Sequence, residues 1–366
     1  MTKVLVVDDS ALMRRLLTGL LRDNGFEVAT ARNGAEGVQQ LTDWQPDVVT
    51  LDINMPEMDG LTALSLMMQA RPTPVVMVSS LTEKGAQATF EALALGAVDF
   101  IAKPGGTISL SVDDIAGQLL AKVKAAARAR MRSGKVVTRP ALPAPVAPVP
   151  APAPRPAIRT GAGSSAAHLA GLVLVGVSTG GPRTLEDILP QLPADFPWPV
   201  VVAQHMPPNF TDAFARRMDS LCRLRVQECA ATVPLEAGKV YIGKGGTDIV
   251  ICERLGRLAV QPRPETPGHP WHPSVDVMVD SAMKLLPADR IVGVQLTGMG
   301  NDGATAMTAL KRAGGRTIAE SKETAVVFGM PAELIEAGGA SVVLPCQDIA
   351  RQIIAWSQRR PHCAAA

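Results

Sequence analysis

Ser178, His205 and Asp302 are the residues whose types could together perform nucleophilic catalysis. A hydroxyl is a weak nucleophile until a neighbouring base takes its proton, and an imidazole does this best when a carboxylate orients it. Each of the three follows an apolar run: "LVLVGV" before Ser178, "PVVVAQ" before His205, and "IVGVQLTG" before the loop that holds Asp302. The C-terminal ends of parallel strands open onto one crevice, so the three are expected at one sheet edge. Gly180, Gly181 and Pro182 follow the serine. They predict a helix starting near Pro182, whose free N–H groups suit an oxyanion. Gly298, Gly300 and Gly303 give the Asp302 loop backbone freedom.

The same pattern also fits a capped glycine turn with no chemistry, and spacing alone leaves convergence open. Gly176 and Gly180 bracket the serine, but the order Ser…His…Asp is not that of the α/β-hydrolase elbow. The absence of G-x-G-x-x-G spacing and of a Walker lysine disfavours a nucleotide. His269 and His272 sit in the Pro-rich "PGHPWHPSVD". No cysteine or second acidic cluster flanks them, which disfavours a metal pair.

A second constellation lies earlier in the chain. Asp8 and Asp9 end the first apolar run, Asp52 the third, Ser79 the fourth, and Lys103 follows the fifth. Three carboxylates at one crevice suit Mg²⁺. A hydroxyl and a lysine beside them suit a phosphoryl group, and an aspartate can itself attack phosphorus.

The elements that must position these residues are legible as alternating strands and helices. "KVLVVDD", "FEVATA", "DVVTLDI", "PVVMVSS" and "AVDFIAKP" read as strands separated by helical spacing. The pattern restarts at "LVLVGV" and returns with "IVGVQLTG", "RTIAE" and "ASVVLP". Between them, "GKVYIGKGGTDIVICERLGRLAV" has short apolar runs split by glycines and predicts antiparallel hairpins. The fold class is therefore α/β, with two doubly wound parallel-sheet domains, the second carrying a small antiparallel hairpin. Pro140 to Pro156 holds eight prolines in seventeen residues, which predicts an extended spacer. The expected boundaries are 1–130, a basic Pro/Ala-rich linker over 131–169, 170–358, and a tail over 359–366.

Composition limits the function classes. A net charge of +2 gives no argument for nucleic acid, and 3% aromatics argues against a base-stacking surface. No basic recognition helix follows the linker, which disfavours a DNA-binding output. The five cysteines form no C-x-x-C pair, so reduced thiols in a cytoplasmic protein are expected. No apolar run approaches the ~18 residues of a membrane span. A monomer is expected. A non-catalytic binding module joined to the first domain is the competing reading of the second.

On "VVDDS", "LDINMPEMDGL", "VMVSSLT" and "GAVDFIAKP", the first domain resembles the response-regulator receiver family. That resemblance implies a flavodoxin-like fold and phosphorylation of Asp52 by a chemotaxis histidine kinase. It implies Mg²⁺ held by Asp8 or Asp9, Asp52 and the Asn54 carbonyl. Ser79 and Lys103 would contact the phosphoryl oxygens, and Phe100 would be the aromatic switch. On "GVSTGGP", "VVVAQHMPPNFT", "HPSVDVMVDSA", "LTGMGNDGA" and "VVFGMPAELI", residues 170–358 resemble the CheB methylesterase family. This implies a Rossmann-like hydrolase that needs no cofactor. Ser178 would be nucleophile, His205 base and Asp302 orienter, with Thr179 and Met299 near the oxyanion. The implied substrates are glutamate methyl esters on chemoreceptor helices, with glutamine amides as a second class. Val177 and Glu320 stand where the family is expected to have Ala and Gln, which could alter substrate preference.

Overall fold

The computed structural model describes residues 1–80, 82–103, 112–129 and 169–358. The tail, and the expected linker apart from its last residue, lie outside the described residues.

The first unit runs β1 (Lys3–Val7), α1 (Ala11–Asp23), β2 (Glu27–Ala31), α2 (Gly34–Trp44), β3 (Val48–Asp52), α3 (Gly60–Ala70), β4 (Val75–Ser79), α4 (Glu83–Leu95), β5 (Asp99–Ala102) and α5 (Val112–Ala127). Its strands are parallel in the order β2-β1-β3-β4-β5. Strands β3 and β4 are buried along their whole length, as their continuous apolar runs require when helices cover both faces. Ser10, Asn33, Asp59 and Thr82 cap α1 to α4 by accepting from first-turn N–H groups.

The second unit begins with β6 (Leu172–Val177), α6 (Gly181–Ile188), β7 (Val200–Gln204), α7 (Pro208–Leu221) and β8 (Arg225–Cys229). It continues through β9 (Val233–Pro234), β10 (Lys239–Gly243), β11 (Asp248–Arg254), β12 (Arg257–Arg263) and α8 (Val275–Met283). It closes with β13 (Ile291–Gln295), α9 (Ala304–Arg312), β14 (Arg316–Glu320), α10 (Met330–Glu336), β15 (Val342–Leu344) and α11 (Cys346–Gln358). The main sheet has the order β15-β14-β13-β6-β7-β10-β8 and is parallel throughout. From β6 the chain builds outward through β7, then crosses to β13 on the other side. The topological switch point, where ligands settle in such sheets, therefore lies between β6 and β13.

Lys239–Gly243 is no hairpin strand: it pairs in parallel with both β7 and β8 inside the main sheet. The antiparallel sheet is β11-β12-β9. The glycines after β10 mark the chain's exit from the large sheet into the small one. Val240, Tyr241 and Ile242 are all fully buried, the pattern of a central parallel strand.

The two units share an apolar contact. Helix α4 packs on α6 and α7. Phe90 stacks on Phe214 with ring centroids 5.5 Å apart, and Phe100 lies 4.5 Å from Phe210. Such ring pairs add about 0.5–1.5 kcal/mol each beyond the area they bury. Among the described residues no helix is long and apolar enough to cross a membrane.

The segment after β7 is held by close backbone packing. A Cβ on Gly245 would fall 2.1 Å from the Met206 carbonyl oxygen, while the Gly245 N–H donates to Thr211 Oγ1. Gly245→Ala must therefore push the chain just beyond His205. The expected loss is about 1–3 kcal/mol, the usual cost of overpacking, read as a lower urea midpoint at unchanged slope.

Candidate active site

Ser178 leaves β6 at its C-terminal end, with its N–H bonded to the Thr297 carbonyl at 2.9 Å and its own carbonyl accepting from Gly181 N–H at 2.8 Å. Gly180, at φ +79°, makes the sharp turn into α6. A Cβ there would be strained and would strike Val326 at 2.6 Å. His205 follows β7, and its N–H bonds the Val177 carbonyl at 3.0 Å. Since Val177 pairs with Gln204 in the sheet, Ser178 and His205 leave adjacent strands at the same level. The buried Gln204 amide ties them, donating to the Ser178 carbonyl at 3.0 Å and the His205 carbonyl at 3.1 Å.

Asp302 reaches the same edge from the loop after β13. His205 Nε2 lies 2.9 Å from its Oδ2. The carboxylate also accepts from the Ser274 hydroxyl at 2.9 Å, Val275 N–H at 2.7 Å and Asp276 N–H at 3.1 Å. It therefore sits on the N-terminus of α8, whose N-cap is Ser274. Burial pushes its pKa up, but the His205 ring and the two backbone N–H groups outweigh this and hold it below the ordinary carboxylate value.

The orientation of His205 decides which nitrogen is available. With Nε2 committed to Asp302, Nδ1 is buried and has no hydrogen-bond partner. The Ser178 hydroxyl likewise makes no hydrogen bond among the described residues. The two groups stand at adjacent strand ends without being joined, a state common in unliganded sites. Trp271 stacks flat on the imidazole, 5.7 Å between centroids and 4° between planes. The backbone N–H groups of Thr179 and Met299 have no acceptor among the described residues.

His269 and His272 go to different partners. His272 Nδ1 lies 2.9 Å from the fully buried Asp248, which also receives N–H groups of Thr266 and Ser274. His269 Nδ1 lies 3.3 Å from the Ser274 hydroxyl. They anchor the loop that carries Trp271 and Ser274. Val177 is fully buried behind Gly181, on the core side of the strand. Glu320 is buried too; its oxygens accept Thr297 N–H at 2.9 Å and the Thr324 hydroxyl at 3.0 Å. A glutamine there would face one of these donors with its own N–H₂.

In the first unit, Lys103 Nζ lies 2.7 Å from Asp52 Oδ2 and 3.1 Å from Asp8 Oδ2. Burial raises the Asp52 pKa, and Asp8 adds to this against the opposing pull of Lys103. Burial would lower the Lys103 pKa, but Asp52 and Asp8 outweigh it and raise it. Asp9 is exposed, yet Asp8, Asp9 and Asp52 offer oxygens within 4.8 Å of one another. Asp8 Oδ2 and Asp52 Oδ2 are buried and both face the Lys103 ammonium. An all-oxygen donor set of three clustered carboxylates fits a hard divalent cation. Asn54 N–H lies 3.4 Å from Asp52 Oδ1, and the Ser79 hydroxyl donates to the Gly85 carbonyl at 3.1 Å. Phe100 is buried, edge-on to Phe90 and against Phe210.

Three groups escape the sequence reading. Asp99 Oδ2 accepts the Thr179 hydroxyl at 2.6 Å, linking β5 of the first unit to the residue after Ser178. Its other oxygen accepts Lys122 Nζ and Phe100 N–H, at 2.8 and 2.7 Å. No local pattern marks such a contact. Trp271 and Gln204 are equally silent in sequence, whereas Ser274 was findable as an N-cap before "VDVMVDSAM".

The depressed Asp302 pKa makes a stability prediction. Its contribution is fully present above the unfolded value of ~3.9 and is lost as pH falls through the lower folded value. The stability gap between the natural chain and Asp302→Asn is therefore expected to be constant above about pH 5 and to shrink below pH ~3.9, measured by urea unfolding across pH. A gap that widens in acid contradicts the assignment.

The CheB methylesterase family profile matches residues 173–353, and the response regulator receiver domain profile matches residues 4–111. A Rhodospirillum rubrum protein described as protein-glutamate methylesterase/protein-glutamine glutaminase 3 is 56% identical, covering 98% of this chain and 97% of its own. A Rhodopseudomonas palustris relative described as protein-glutamate methylesterase/protein-glutamine glutaminase 2 is 50% identical, over 97% and 98% of the two chains. The crystal structure of the Thermotoga maritima CheB methylesterase catalytic domain is 40% identical over 50% of this chain and 97% of its own, with a TM-score of 0.49. With two close relatives matched end to end and a receiver in front of the hydrolase fold, the chain belongs to the CheB methylesterase family.

Proposed function

We propose that the protein is a phosphorylation-controlled esterase that removes methyl from glutamate side chains of chemoreceptors and hydrolyses glutamine side-chain amides. The observation that carries this reading is the His205 ring, held by Asp302 through Nε2 and leaving an unpartnered Nδ1 beside the Ser178 strand end.

In this reading Ser178 Oγ attacks the ester carbonyl while His205 Nδ1 takes its proton. Asp302 fixes the tautomer and stabilises the imidazolium. The free N–H groups of Thr179 and Met299 receive the oxyanion. The C–O bond to the leaving group breaks as His205 returns the proton, and methanol departs. Water, activated by the same nitrogen, then attacks the acyl-serine and releases glutamate. A glutamine amide follows the same path, with ammonia leaving.

The receiver controls access. Asp99 and Phe100 of β5 hold Thr179, next to Ser178, and Phe210 of α7, the helix that follows His205. Asp52 accepts the phosphoryl group from a histidine kinase. Asp8, Asp9, Asp52 and the Asn54 carbonyl would hold Mg²⁺, which neutralises phosphoryl charge when bound. Lys103 and Ser79 stand at the adjoining strand ends to meet the new oxygens. Pulling Ser79 and Phe100 toward the phosphoryl group loosens the Asp99–Thr179 contact. Complete switching needs about 5.5 kcal/mol of differential stabilisation; a single charge-assisted bond, at about 1.5–3 kcal/mol, shifts the equilibrium only in part, so a response resting on one such bond is graded. The hydrolase part needs no cofactor, and the protein acts as a cytoplasmic monomer.

Methanol release from a methylated receptor fragment tests this directly. Ser178→Ala should lose ~10⁴-fold or more in turnover. Asp52→Asn should keep the basal rate and lose the rise on adding a small phosphodonor. Release that survives Ser178→Ala overturns the reading and leaves the glycine loop as a turn.

Asp99→Ala should raise the basal, unphosphorylated rate by roughly tenfold, since a charged hydrogen bond is worth about 1.5 kcal/mol or more. An unchanged basal rate would separate this contact from control.

A further inference from the structure

A cavity of about 470 Å³ lies between the two units. One wall is the end of α5, with Lys124 and Arg128; the other holds Met299, Lys322, Val326 and Phe328. Its size is that of a site which takes up a compact organic group. It adjoins the nucleophile loop on two sides. Val326 is the residue that a Cβ on Gly180 would strike, at 2.6 Å. Gly298, which precedes Met299, packs so closely that its Cβ would meet Ser178 Cβ at 2.7 Å. A segment presenting a side chain to Ser178 and running on past Met299 enters this space.

The lining has a definite charge. Lys124 near the end of α5 and Arg128 just beyond it line one wall, and Lys322 lies on the other, from the second unit. Glu336 is the one acid among the described lining residues. Lys124 and Arg128 are exposed and have no ion-pair partner among the described residues. Val326, Phe328 and Met299 supply apolar surface between the cations. Cations at the rim and apolar surface inside match glutamate side chains, with methylene stems to bury and carboxylates to pair.

We propose that this groove binds the acidic flank of the substrate segment, and that α5 of the receiver supplies part of the docking surface. The inference rests on the esterase reading above and names what that site recognises. Every turnover leaves a carboxylate in place of an ester, so a segment with several target glutamates carries negative charge beside those still esterified. Lys124 and Arg128 meet that charge from the receiver side. The receiver thus holds substrate as well as shielding Ser178.

The test uses the full chain with a small phosphodonor and two helical peptides. Both carry one glutamate methyl ester; one is flanked by glutamates, the other by alanines. For the double variant Lys124→Glu and Arg128→Glu, KM for the acidic peptide should rise about tenfold with kcat within about twofold. The alanine-flanked peptide should be unaffected. Fluorescence anisotropy of the unesterified acidic peptide should show the same tenfold weakening, and this reading stands whether or not either peptide is turned over. Absence of turnover with both peptides in the natural chain counts against the esterase reading alone. Unchanged KM and affinity overturn the docking proposal. Equal changes for both peptides assign the two cations to domain closure and overturn it too. Binding of inorganic phosphate that is lost in the variant, with no preference for the acidic peptide, makes the cavity a small-anion site and also overturns it.

Discussion

The buried carboxylate of Asp302 is the constraint on which the site depends. A buried carboxylate without partners would protonate or unfold its surroundings. Here it takes two backbone N–H groups from the start of α8, the Ser274 hydroxyl and the His205 ring. Those four donors come from two different elements. The anion therefore fixes where α8 begins, where the loop after β13 passes, and which way the imidazole points. Trp271 reinforces the last of these by lying flat on the ring, and its own loop is pinned by the His272–Asp248 pair.

The same geometric rule places both chemical centres. In each parallel sheet the polar groups gather where the strand order turns back, between β1 and β3 in the first and between β6 and β13 in the second. Strand β5 touches both centres. Lys103, just beyond its C-terminal end, touches Asp52, while Asp99 and Phe100 at its start touch Thr179 and Phe210. A strand only four residues long thus has the Lys103–Asp52 contact just beyond one end and the Asp99–Thr179 contact at the other.

Much of this is legible in sequence because parallel strands buried on both faces read as apolar runs, and function follows their ends. Ser178, His205, Asp302, Asp8, Asp52 and Lys103 all stand directly after such runs or in the loops that follow them. The α/β class follows from the same alternation. Lys239–Gly243 reads as a hairpin strand in sequence because glycine pairs mark both hairpin turns and the exits of long crossovers; the full burial of Val240, Tyr241 and Ile242 tells them apart. Asp99 was invisible for a different reason. Its partner is eighty residues away in the other unit, and no local spacing encodes a contact between domains. Trp271 is hidden because a ring stacked on a ring has no sequence period. The direction of the His205 ring is likewise a property of three-dimensional packing.

That direction is the central claim, and the tautomer of His205 tests it. In ¹⁵N-histidine NMR of the full chain, with the His205 resonance assigned by its loss in His205→Gln, the neutral ring should carry its hydrogen on Nε2, shared with Asp302, and Nδ1 should show the shift of an unprotonated nitrogen. A neutral ring protonated at Nδ1 would contradict the account, because it would remove the His205 hydrogen bond to Asp302 and leave no free nitrogen on the Ser178 side.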